Sequence, residues 1–166
     1  MVQDLKRART FLSYKGFQWE PVTEDGGPEA RSADFLAAQD GVIRLCGTVI
    51  SMGRETHPGG VSERIAFHGD ETEALRDQLA RRLNRYAQRM VAGAMAPDLP
   101  RIAIIANHAP ALRFEDLPAI LEAVAGEDLS QIGLFVWFDD LRPDQMLLQR
   151  SDPGGYRRMA AWFCAE

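Results

Sequence analysis

Two near-continuous apolar runs constrain this chain most: "RIAIIANH" at 101–108 and "IGLFVWF" at 132–138. Neither alternates apolar with polar residues, so each predicts a strand covered on both faces. Between them, a short helix is predicted over about Leu117–Ala125, stopped by Gly126. Two buried strands bracketing a helix predict a parallel βαβ unit with a right-handed crossover. The chain is therefore read as α/β.

Upstream, Leu5, Ala8, Phe11 and Leu12 recur at helical spacing with basic residues between them, predicting a helix over residues 3–15. Gly16 supplies its stop at the C′ position. "FQWEPV" (17–22) reads as a strand and "TEDGGPEARS" as a loop. "ADFLAAQ" and "VIRLCGTVI" read as a hairpin around Asp40-Gly41, a dipeptide that tolerates positive φ. "SMGRETHPGG" is a further loop, and "VSERIAFH" fits another strand. Asp70-x-x-Glu73 has the form of a capping box. The helix it opens runs to about Val91, with a stripe of Leu75, Leu79, Leu83, Tyr86 and Met90. "GAMAPDLP" ends that segment, and a final helix is predicted from Asp152-Pro153 toward Cys164. At 166 residues without internal repeats, one domain is expected.

Net charge is −5, which argues against a surface that wraps nucleic acid on all sides. Charge is uneven, however. Residues 1–16 carry Lys6, Arg7, Arg9 and Lys15 against Asp4, a balance of +3. Residues 71–92 carry five arginines against three acids, a balance of +2, and residues 113–145 carry two arginines against eight acids, a balance of −6. The two cysteines, Cys46 and Cys164, form no disulfide framework or paired metal motif. The N-terminal segment lacks the apolar core of a signal peptide, and no run approaches the ~18 apolar residues of a membrane span. A cytoplasmic protein without membrane contact is the expectation.

The order helix, strand, hairpin, helix, strand, with the stretch "ADFLAAQDGVIRLCGT" inside it, resembles the restriction-endonuclease-like fold of the PD-(D/E)xK nuclease superfamily. The resemblance implies an αβββαβ core over about residues 3–108, a mixed sheet flanked by helices, and a C-terminal αβα extension over about 109–166. It places Asp34 at the position of the motif's Asp, Arg44 where the family has Glu or Asp, and Cys46 where it has Lys.

Phosphodiester hydrolysis at such a site needs a divalent metal to activate water and stabilise charge on phosphate oxygens. Mg²⁺ prefers hard oxygen ligands. Arg44 would set a permanent positive charge in its place, and Cys46 is a soft ligand. An Asp34–Arg44 ion pair replacing the metal is the expectation, and no metal is assigned. Alternatively, the motif acid has moved to the following helix, making Glu71 or Glu73 the partner of Asp34, with Asp4 and Glu20 as further candidates. Arg82, Arg85 and Arg89, with Arg81 beside them and Arg54 and Arg64 near the loop, read either as a phosphate-contacting ridge or as a solvated helix face. His57, His68 and His108 lack ligand spacing and read as loop or capping residues. Trp19, Trp137 and Trp162 read as core.

Three functions follow. The first is a catalytically inactive nuclease-like module binding nucleic acid through a local basic patch, or binding a protein partner or a second copy of itself. The second is an active Mg²⁺- or Mn²⁺-dependent phosphodiesterase with a rearranged carboxylate site. The third is an interaction domain with no nucleic-acid role, and only the second requires a cofactor.

Overall fold

The computed structural model describes residues 2–21, 33–53, 71–92, 99–123, 132–140 and 142–150. In chain order these form α1 (Val2–Tyr14), β1 (Gln18–Pro21), β2 (Phe35–Gln39), β3 (Val42–Met52), α2 (Glu71–Ala92) and β4 (Arg101–Asn107). A 3-10 turn (Phe114–Asp116), α3 (Leu117–Ala123), β5 (Ile132–Asp139) and β6 (Arg142–Arg150) follow. The six strands make one sheet in sequential order. β3, β4 and β5 pair in parallel, while β1/β2, β2/β3 and β5/β6 pair antiparallel. The sheet is thus mixed, with β1, β3, β4 and β5 running one way, and the predicted parallel βαβ unit is β4–α3–β5.

Each face of the sheet has its own core. On one, Ala8, Phe11 and Leu12 of α1 pack on Leu45, Val49, Ile102, Ile104, Leu134 and Val136. On the other, Leu75, Leu79, Leu83 and Tyr86 of α2, with Leu117 and Ile120, pack on Ile50, Met52, Ile105 and Trp137. Helices on both faces explain why β4 and β5 are buried at every position.

Local signals work as read. Gly16, at φ +87°, ends α1: its N–H donates to Ser13 O and the Phe17 N–H to Leu12 O, the paired bonds of a Schellman cap. Asp40 (φ 55°) and Gly41 (φ 77°) supply two successive positive φ angles for the tight hairpin. At the bend in this hairpin, Ala37 pairs with Leu45 but Ala38 with Ile43, leaving Arg44 as the extra residue of a β-bulge.

One strand escaped the sequence. In the expected αβα extension the helix and β5 are followed by a further strand, because "RPDQMLLQR" pairs with β5 as β6. Proline near its start and no apolar alternation hid it; an edge strand tolerates both. The predicted strand "VSERIAFH", the Asp70 cap and the final helix lie outside the described residues.

Candidate functional site

The hairpin positions are not assembled as expected. Asp34 precedes β2, and its N–H donates to Gly47 O at 2.8 Å. Its carboxylate Oδ2 accepts a hydrogen bond from Thr48 Oγ1. Thr48 is buried, and strand alternation puts Cys46 and Ile50 on its face. Cys46 is fully buried beside Ala33, with Leu36 and Leu99 packed against them. Arg44 stands four residues back along β3, about 13 Å at strand rise. Among the described residues there is no ion pair between Asp34 and Arg44, and Arg44 Nε is buried without a partner. The expected pair fails on register: Phe35 pairs with Gly47, so Asp34 lies beside Thr48 at the far end of the hairpin, whereas Arg44 sits at the bulge near its turn.

Of the migrated-acid candidates on α2, the one whose side chain is described, Glu73, lies elsewhere. Glu73 lines a groove of about 390 Å³ between α2 and α3, together with Thr72, Arg76, Asp77 and Ile120. Arg76 closes on Asp116 there. Burial works to raise the Asp116 carboxyl, but the Arg113 N–H and the Arg76 guanidinium outweigh it and hold the group below its ordinary range. Glu20 is half-buried on β1. The side chain of Glu71 lies outside the described residues, as do Arg54, Arg64, His57, His68 and the side chain of Arg89.

The arginine ridge on α2 also divides. Arg82 turns inward and donates to Ser51 O at the end of β3, with Met52 Sδ at 3.9 Å. Burial, and then the neighbouring Arg85, lower its pKa. Arg81 and Arg85 are exposed. Arg82 therefore ties α2 to the end of β3.

Cations gather instead on α1, on the opposite face of the sheet. Lys6 and Arg9 are exposed and three residues apart, nearly one helical turn. The Arg9 guanidinium lies 5.5 Å from the Trp19 ring centroid and that of Arg7 lies 4.5 Å from the Phe138 ring. The one acid of α1, Asp4, is buried. The outward surface of this helix thus carries cations without an acid of its own, and two of them are positioned by aromatic faces.

A second polar cluster joins four distant segments at the carboxyl ends of the parallel strands. Asn107, the last residue of β4, donates to Leu112 O at 2.6 Å and accepts from the Ala109 N–H at 3.1 Å, fixing the turn that follows. The His108 N–H donates to Met52 O at 2.8 Å, extending the β3–β4 pairing. This sets the His108 ring between two carboxylates. Nε2 lies 2.8 Å from Asp4 Oδ1, and Nδ1 lies 2.9 Å from Asp140 Oδ2. Ser51 Oγ donates to the other Asp4 oxygen at 2.5 Å. No local motif announces this cluster, since its members are residues 4, 51, 108 and 140. Its one legible sign was an acid, Asp4, on a helix whose other charges are all basic.

Among the described residues, no three His, Cys, Asp or Glu side chains converge as metal ligands. No family model, curated protein or solved structure matches the chain. No described helix is long and apolar enough to cross a membrane.

Proposed function

We propose that the chain is a nuclease-like domain without hydrolytic chemistry that holds a nucleic-acid backbone on the outer face of α1. The order α1–β1–β2–β3–α2–β4 agrees with the αβββαβ core that the resemblance to PD-(D/E)xK nucleases implies, and this supports the fold half of the reading. The surroundings of Asp34 carry the loss of hydrolysis. A Mg²⁺ site would need a second hard oxygen ligand beside Asp34. The strand neighbours there are Thr48, whose hydroxyl is spent on Asp34 itself, and the side chains of Cys46 and Ile50.

The α1 face carries the binding half. Its outward residues are cations, and the guanidiniums of Arg7 and Arg9 lie over rings that limit their motion. A membrane is a poorer partner, because a helix that enters an interface needs a free apolar face, and that of α1 is buried in the sheet.

Binding of a short DNA duplex and of the corresponding single strand, titrated with salt, tests this. Three neutralised phosphates predict affinity for the duplex falling about 40-fold, and for the single strand about 20-fold, between about 50 and 200 mM salt. Lys6→Glu with Arg9→Glu reduces both the affinity and the salt slope, whereas Arg81→Glu with Arg85→Glu on the other face changes them little. Salt-independent or absent binding returns the chain to the class of interaction domains. Plasmid nicking with Mn²⁺ tests the other half: no cleavage is expected, and cleavage lost in Asp34→Ala restores the active phosphodiesterase.

A further inference from the structure

The structure assigns a second role to His108: a proton-operated latch that holds Asp140, after β5, to the junction of α1 and β4, and that opens at Asp140 as pH rises. Its geometry starts from a count of donors. A neutral imidazole has one N–H and one bare nitrogen, whereas an imidazolium has two N–H groups. Here both nitrogens face carboxylate oxygens, Asp4 at 2.8 Å and Asp140 at 2.9 Å. Both contacts are satisfied only with a proton in each, so the closed arrangement belongs to the doubly protonated ring. Histidine changes charge between about pH 5 and 8.

Which contact breaks is decided by burial. Asp4 is 2% exposed, and its second oxygen accepts the Ser51 hydroxyl. Asp140 is 57% exposed and reaches water by a simple rotation. A ring that loses one proton therefore keeps Nε2–H on Asp4. Its bare Nδ1 then faces Asp140, and lone pair and carboxylate repel. Asp140 swings out and leaves His108, which stays on α1 through Asp4.

Other charges around the ring, among the described residues, do not substitute for this exchange. From β5, Asp139 accepts from Trp137 Nε1 at 3.2 Å. From α1, Arg7 lies over the Phe138 ring. From α2, Arg82 reaches the Ser51 carbonyl. The side chain of His108 is 9% exposed and both of its nitrogens are bonded, so it offers no free proton or lone pair to a substrate. That is the disposition of a switch rather than of a catalytic base.

The test is Asp140→Asn, a substitution at an exposed turn that leaves the core alone. At about pH 5, with the latch closed, removing the carboxylate charge takes an ion pair from the folded state, and Tm falls. At about pH 8, with the latch open, the same change removes a repulsion and gives the bare nitrogen an amide donor, so Tm is unchanged or rises. An equal Tm shift at both pH values overturns the proposal. A second readout needs no variant: ring ¹⁵N signals of His108 show two N–H groups in acid and the Nε2–H tautomer in base. Retention of Nδ1–H in base overturns the stated direction of opening.

Discussion

At the scale of single residues, packing and polarity were read unequally well. Gly47 illustrates a constraint that no periodicity reveals. A Cβ built there meets Phe35 Cζ at 2.5 Å and Ile102 Cγ1 and O at 2.8 Å. Phe35 is itself fixed by stacking on Trp19, with centroids 4.2 Å apart. Gly47→Ala therefore overpacks the junction of β2, β3 and β4 and is expected to cost about 1–3 kcal/mol in urea unfolding. A stability equal to that of the parent would show that Phe35 has room to move. The expected Asp34–Arg44 pair fails for a different reason: pairing across the Asp40-Gly41 turn carries Asp34 to Thr48 and leaves Arg44 near the turn. His108 was invisible as a site because its partners come from residues 4 and 140, and only the finished sheet brings them together.

Helices and strands were more legible, because each carries its own stop and its own period. The stripe Leu75, Leu79, Leu83 and Tyr86 is buried as its spacing demanded. Buried β4 and β5 were plain from unbroken apolar runs, while β6, at the sheet edge, had no such pattern to display. The way α2 holds the turn before α3 gives a prediction at this scale. The carboxyl of Asp116 is below its ordinary range when folded, so the unfolded chain binds more protons there in acid. Its contribution is full above the ordinary carboxylate range near pH 4, and it disappears as pH falls through the folded value. Asp116→Asn should accordingly destabilise at neutral pH, and the gap to the parent should narrow in acid. Arg76 is 42% exposed, so solvent screening keeps the effect within about 1 kcal/mol. Parallel stability–pH curves for the two proteins would count against the pairing.

For the whole molecule, the sheet sets a gradient of stability from its middle outward. β4 is flanked by parallel neighbours and buried throughout, whereas among the described strands β1, at four residues, and β6 are the edges. Amide hydrogen exchange should be slowest in β4 and the adjoining parts of β3 and β5, and faster in β1 and β6. Uniform protection across the six strands would contradict this. The central position of β4 also has a consequence for the making of the protein. The apolar stripe of α1 packs against Ile102, Ile104, Leu134 and Val136, and its acid closes on His108. Every one of those partners is translated more than eighty residues later. At about 5–20 residues per second, α1 waits on the order of ten seconds for these partners. Until then only the early strands, through Leu45 and Val49, can cover its apolar side, so the nascent chain shows a partly bare basic amphipathic helix that the finished protein hides.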